Sequence, residues 1–244
     1  MKFPKTFFVM PVIVIWMATG LFSACDLIDR EYIRGNGTII TEDRSVNGIR
    51  DLDVSGAFTV VLSQGASEGV TIETDENLMD HIQVEVLGGT LKIYTVNNLS
   101  PTNRISVRVS FIQMDEVDVS GAVKLTAENE LQLNRIRIGS SGASEVELGI
   151  DVSQVSVDIS GASKVRLHGS ADRLSVDCSG ASKLYASELQ CDSVDLDVSG
   201  ASYAEVWAEN SLAAEASGAS KIKYKGNVSN IRQNTSGASE VRPM

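Results

Sequence analysis

The sequence predicts an all-β chain whose C-terminal part is a right-handed parallel β-helix, a solenoid with coils of about 19 residues. Three observations predict it. Ser-Gly-Ala recurs eight times, beginning at Ser55, Ser120, Ser141, Ser160, Ser179, Ser199, Ser217 and Ser236. The last seven copies are separated by 21, 19, 19, 20, 18 and 19 residues, and six of the eight read Ser-Gly-Ala-Ser. Between copies, apolar and polar residues alternate with the period of two that marks a half-buried strand.

The chain opens with what reads as a targeting segment, residues 1–24. Lys2 and Lys5 precede the apolar run from Phe7 to Phe22, which Ser23-Ala24-Cys25 closes. A positive start, a run shorter than the roughly 20 residues a membrane-spanning helix needs, and small closing residues are the order of a secretory signal. A cysteine after the small pair resembles the lipobox of bacterial lipoproteins, although Phe22 stands where Leu is commoner. That resemblance implies cleavage before Cys25 and lipid attachment to its thiol. A plain secretory signal and an uncleaved anchor are the alternatives. The expected location is the cell envelope, lipid-anchored at the outer membrane and facing either the periplasm or the outside.

The net charge is −11, and loss of residues 1–24 would leave 19 Lys+Arg against 32 Asp+Glu. Such an acidic body repels phosphate backbones, so nucleic acid is not an expected partner. After Cys25 only Cys178 and Cys191 remain, too few for a disulfide framework. Cys178 falls in a column otherwise filled by Val, Ile and Ala, which predicts a buried thiol. No cofactor is expected, and no cluster shows metal-ligand spacing.

Residues 25–35 are polar and read as a tether. The span 36–111 reads as an irregular β-rich region that caps the solenoid. Its predicted strands are Thr38–Thr41, Leu52–Val54, Phe58–Leu62, Val70–Thr74, Ile82–Leu87, Leu91–Val96 and Ile105–Phe111. Gly88-Gly89 between two alternating runs is a hairpin signal. Asp75–Asp80 can form one helical turn, and Asn97–Asn103, with Ser100-Pro101, is a loop. The 65 residues from Ser55 to Ser120 leave two arrangements open. They make either three irregular coils that continue the solenoid or a small antiparallel β-domain packed on its end.

Residues 112–244 read as the regular solenoid. Before each Ser the apolar positions are, for example, Val155, Val157 and Ile159, then Leu174, Val176 and Cys178, then Val194, Leu196 and Val198. After it they are Val146 and Leu148, Val165 and Leu167, or Ile222 and Tyr224. Each unit is therefore strand, tight corner, strand, polar turn. One such unit has too little apolar surface to offset the entropy of ordering it. Stacking makes every inward column continuous. Glycine supplies the corner's backbone freedom, and the serines can bond neighbouring backbone groups. Propeller, leucine-rich and calcium-binding nonapeptide repeats would each show a different period or motif.

Gly35-Asn36-Gly37, Val46-Asn47-Gly48-Ile49, Val54-Ser55-Gly56-Ala57-Phe58-Thr59-Val60, Gln64-Gly65 and Asp75-Glu76-Asn77-Leu78 together resemble the auto-transporter adhesin family with a head GIN domain. Its members are exported β-helical proteins found mostly in Bacteroidetes. The likeness runs from about Gly35 to Val241 and implies an exported β-helix. It carries no catalytic or binding residue over to this chain.

Two surface features are candidate ligand or partner sites. Two residues before the corner serine lie Asp53, Asp118, Asp158, Asp177, Asp197 and Glu215, interrupted by Gly139 and Asn234. Stacking would bring Asp158, Asp177 and Asp197 into one acidic strip, able to hold divalent cations or basic partners. Four residues after it lie Lys124, Lys164, Lys183 and Lys221, mixed with Glu145, Tyr203 and Glu240, a plausible compensating column across the corner. Tyr185, Tyr203, Trp207 and Tyr224 belong to the last coils, and Tyr203 and Trp207 take outward positions suited to a glycan or a protein. His81 and His168 have no partner motif, and the short turns lack the clustered acids and bases of β-helix lyases. The expected function is therefore an envelope-anchored, non-catalytic binding or adhesion module. The alternative is a structural or regulatory envelope protein that self-associates or packs on a partner. A carbohydrate-active enzyme ranks third.

Overall fold

Alternating burial changes phase within a regular coil, and the change marks where the chain turns. In Glu145–Ile159 the inward side chains are Val146 and Leu148, then Ile150 and Val152, then Val155, Val157 and Ile159. Gly149 makes three buried residues in succession, and Ser153-Gln154 two exposed ones. Strict alternation would not permit the exposed pair, so the strand bends there, whereas Gly149 is buried because the His168 ring covers it. Ser-Gly-Ala-Ser is another corner. This geometry comes from a computed structural model that describes residues 32–244. The chain is a β-solenoid of about seven turns with coils about 19 residues apart, as the repeat predicts. The signal segment and Cys25 lie outside the described residues.

Ten strands build the regular part. They are β10 (Glu116–Gly121), β11 (Lys124–Ala127), β12 (Leu131–Ser140), β13 (Glu145–Ile159), β14 (Lys164–Cys178), β15 (Lys183–Val198), β16 (Tyr203–Ala216), β17 (Lys221–Lys225), β18 (Asn230–Thr235) and β19 (Glu240–Pro243), preceded in the chain by β1 to β9. Each lies parallel on its counterpart one coil along, in register through the corners. The corner itself carries the ladder. The Ala N–H of each coil donates to the Gly carbonyl of the coil before, at 2.7–2.8 Å for all seven steps from Ala122 on Gly56 to Ala238 on Gly218. The fourth serine points inward: Ser144, Ser163, Ser182, Ser202 and Ser220 are all buried. Ser144 Oγ donates to the Ser141 carbonyl at 3.0 Å and Ser220 Oγ to the Val198 carbonyl at 2.9 Å. Cys178 and Cys191 are buried free thiols, and the burial of Cys178 is what its column predicts. Burial pushes Cys191 up to about 12, so neither thiol is an activated nucleophile.

The N-terminal strands are β1 (Ile33–Arg34), β2 (Ile39–Arg44), β3 (Asp51–Gly56), β4 (Phe58–Gln64), β5 (Gly69–Asp75), β6 (Ile82–Leu87), β7 (Thr90–Thr95), β8 (Leu99–Ser100) and β9 (Ile105–Phe111), with a 3-10 turn at Glu76–His81. Ile33 and Arg34, in the segment read as a tether, pair with Leu99 and Ser100 of the segment read as a loop. The hairpin at Gly88-Gly89 joins β6 and β7, both glycines having positive φ. Chain order and stacking order then part company. β3 and β4 form a regular coil lying directly under β10 and β11, with Asp53 opposite Asp118. The intervening residues run outward and return as β7 and β9, which stack in parallel on the other side of β3 and β4. Antiparallel β6, β5 and β2 then cover those edges. Both arrangements left open by the sequence are thus partly realised: one further coil, and antiparallel strands that close its exposed edges.

The segments that carry the family resemblance meet in this cap. The buried Asp75 carboxylate accepts hydrogen bonds from Gly37 N (2.8 Å), Thr102 N (2.8 Å) and Thr102 Oγ1 (2.7 Å). The Thr102 hydroxyl bond is the main influence holding that carboxyl below its usual range. A Cβ on Gly35 would fall 2.3 Å from the carboxyl carbon, so no larger residue fits. Asn36 N donates to Asn77 Oδ1, and Asn77 Nδ2 to the Arg34 carbonyl. Glu68 receives the N–H groups of Gly48 and Ile49. These motifs build the fold.

Candidate functional site: a basic aromatic strip and an acidic ladder

Because coils stack in register, an outward residue is aligned with its equivalents at the strand spacing of about 4.8 Å. The acidic column forms as its spacing predicts: Asp53, Asp118, Gly139, Asp158, Asp177, Asp197 and Glu215 face one another in successive coils. Gly139 leaves a gap, and an open groove of about 390 Å³ runs past it between Asp53, Asp118, Asp158 and Asp177. Arg137 partly neutralises the ladder, with Nη2 2.8 Å from Asp158 Oδ2 and Nε 3.6 Å from Glu116.

The sequence places the compensating cations across the corner, and the structure differs. Among the described residues no ion pair links the two columns. Lys164 instead pairs with Glu145 at 2.9 Å and Lys221 with Glu240 at 3.1 Å, within their own column. The reason is geometric: the two columns point away from opposite sides of a tight bend, whereas column neighbours are one strand apart.

The ladder is left with repulsion. Desolvation first, then Asp158, Asp197 and Asp195, hold the Asp177 carboxyl above the ordinary range. Asp118 is raised too, chiefly by desolvation, with Asp53 and Asp158 adding to it. A carboxyl raised in the folded state binds its proton more readily folded than unfolded. Stability therefore falls as pH climbs from the unfolded value, about 3.9, through the folded one. Substituting Asp158, Asp177 and Asp197 together by Asn should raise the neutral-pH Tm by several degrees. The gain should shrink toward about pH 4 and with added salt. Loss of the exposed Arg137–Asp158 pair subtracts little. Melting curves over pH, in sodium and calcium chloride at equal ionic strength, check this. A calcium stabilisation exceeding that of sodium, and lost in the triple variant, would mark coordination in place of screening.

On the other side of the corner, Tyr203 and Trp207 point outward and are half-buried, as their positions predict. Tyr185 joins them. Its ring centroid is 5.9 Å from that of Tyr203, with the planes tilted by 56°. The Arg166 guanidinium lies 5.2 Å from the Tyr185 ring, Lys223 Nζ 5.6 Å from Tyr203 and Lys225 Nζ 4.2 Å from Trp207. Lys183 stacks beside Tyr203 in the ladder. Tyr203 Oη donates to Glu205 and Trp207 Nε1 to Glu209 at 2.7 Å. Burial, then Glu205, push the Tyr203 hydroxyl well above its normal range, so it stays a neutral donor. Tyr224 is not part of the strip, since it occupies the inward column beside Val206.

The predicted residues therefore form two groups on different sides of each coil: Asp158, Asp177 and Asp197 in the ladder, Tyr203 and Trp207 in the strip. Looking for cations only at the fourth position after each serine misses Arg166 and Lys223 at the sixth and Lys225 at the eighth. Stacking those columns as well would have found them. Among the described residues no three acidic, His or Cys side chains are grouped to hold a metal ion, and no helix is long and apolar enough to cross a membrane.

Comparison with known proteins adds a family and a fold. A family model described as "Putative auto-transporter adhesin, head GIN domain" matches residues 50–228. None of the curated proteins matches. A Bacteroides fragilis protein solved as a "putative adhesin" superposes with a TM-score of 0.83 at 20% identity, over 87% of this chain and 100% of that one. A Parabacteroides distasonis "putative lipid binding protein" gives 0.74 at 22% identity, over 88% and 100%. A Parabacteroides merdae "putative adhesin" gives 0.71 at 18%, over 88% and 99%. At these identities the solved structures speak for the fold alone.

Proposed function

This chain belongs to the auto-transporter adhesin family with a head GIN domain, and from that premise we propose that it is a non-catalytic binding module of the cell envelope. It is held there by a lipid on Cys25 and binds by surface complementarity along a rigid solenoid. The observation that carries the reading is the outward strip of Tyr185, Tyr203 and Trp207 set among cations on one side of successive coils. Rings presented by a sheet bonded strand to strand need little ordering on binding, so more of the contact energy becomes affinity. The family name points the same way, toward adhesion at an extracellular or envelope surface.

Two measurements test it. Cells fed radiolabelled palmitate should label the protein and not its Cys25→Ser variant. An unlabelled wild-type protein would remove the lipid anchor from the reading. Purified protein should be retained on a glycan array or on immobilised envelope proteins. Retention on none of them, with ordered end-to-end association in light scattering, would favour a structural role.

A further inference from the structure

We propose that the strip on β14 to β17 recognises an acidic polysaccharide, one with carboxylate-bearing pyranose rings, lying along the solenoid. This rests on the binding reading above and names its ligand class. The side carries Lys164, Arg166, Lys183, Lys221, Lys223 and Lys225 in a protein whose net charge is −11. Lys164, Lys221 and Lys223 have carboxylate partners, at 2.9, 3.1 and 3.9 Å. Among the described residues Arg166, Lys183 and Lys225 have none within 4.0 Å. Two of the three are set against rings, Arg166 at Tyr185 and Lys225 at Trp207, while Lys183 is the ladder neighbour of Tyr203, whose own ring cation, Lys223, has Glu205 at 3.9 Å. Tyr185 and Trp207 thus each have beside them a positive charge with no carboxylate partner within 4.0 Å.

That pairing selects a chemistry. A flat aromatic face stacks on the C–H face of a pyranose ring, while the adjacent ammonium or guanidinium takes a carboxylate on the same or the next sugar. The three cations spread over four consecutive coils, roughly 15 Å at the strand spacing. This is sparse beside duplex DNA, which carries a charge about every 1.7 Å, and it suits a polymer charged once per sugar or two. The acidic ladder lies across the Ser-Gly-Ala corner from the strip, and the carboxylates within the strip, Glu205 and Glu209, are engaged by Tyr203 and Trp207.

Affinity gel electrophoresis of the full protein, in gels containing polygalacturonate, alginate, hyaluronan or neutral dextran, tests the proposal. Retardation is expected with at least one carboxylated polymer and not with dextran, and it should weaken as salt rises. Tyr203→Ala with Trp207→Ala should weaken it about tenfold, the loss of one to two stacking contacts. Lys183→Gln with Lys225→Gln should weaken it several-fold. All four side chains face outward, and a cooperative melt with the β-sheet circular dichroism of the wild type confirms that each variant is folded. Retardation by none of the carboxylated polymers overturns the proposal, as does equal retardation of wild type and both variants. Retardation by dextran alone, abolished by the ring substitutions, would keep the binding function and discard the acidic ligand. Competition by single-stranded DNA as strong as by the polysaccharide would show an unselective polyanion surface and also overturn it.

Discussion

Gly180→Ala is expected to destabilise the protein by about 2–5 kcal/mol, which for a chain of this size lowers Tm by roughly 5–15 °C. Two independent costs add. Gly180 has φ of +76°, where an L side chain is strained by about 1–2 kcal/mol. An ideal Cβ there would also lie 2.7 Å from the Gly161 carbonyl oxygen, an atom that cannot withdraw. That oxygen accepts the Ala181 N–H at 2.8 Å, so relieving the overlap breaks the corner ladder between two coils. The position is mid-stack, where both neighbouring coils depend on it. Gly65→Ala is the control: nothing lies within 4 Å of the ideal Cβ and its φ is not positive. It should be neutral or stabilise by up to about 1 kcal/mol through the unfolded state. Thermal and urea melts of both variants decide the matter, and equal melting would refute the stacked-corner account.

Phe58→Ala should cost a similar amount, about 3–5 kcal/mol, for a different reason. Phe58 is fully buried and occupies the inward corner position that serine holds in later coils. Its neighbours there are Ile105 below, in the register of β4 with β9, and Val123 above. The ring reaches within 3.0 Å of the ideal Cβ on Gly56, whose φ of +130° departs from the +72° to +91° of the other corner glycines. Truncation leaves a cavity beneath the cap, where a closed β structure cannot collapse into it. Coils touch only their neighbours, so the damage should be local. Hydrogen exchange should show protection lost in β2 to β9 and kept in β13 to β16. Uniform loss across the chain would contradict that.

The alternation around Ile82–Leu87 and Leu91–Val96 and the two glycines between them were enough to predict a hairpin. Likewise Val155, Val157 and Ile159 were enough to predict an inward column. In each case the information lies within a few residues, because a strand's side chains alternate and a two-residue turn needs positive φ. The 65 residues between Ser55 and Ser120 hold no comparable local signal. Whether Asp53 meets Asp118 or some nearer residue depends on which edges are cheapest to close, and that is a comparison between whole arrangements. The binding surface divides in the same way. Tyr203 and Trp207 were readable as outward, since each is one position from a buried residue. Their cations were not, because Lys223 and Lys225 reach the rings from the adjoining coil.

What the sequence determined by itself is the coil: its length, its Ser-Gly-Ala-Ser corner, and which side chains face in or out. Spacing and alternation translate directly into those features. Tertiary structure alone decided the order in which coils stack at the N-terminal end, the antiparallel cap that closes it, and which charges stay unpaired. Those follow from contacts between residues far apart in the chain, where edge closure and side-chain reach choose among partners that the local pattern treats alike.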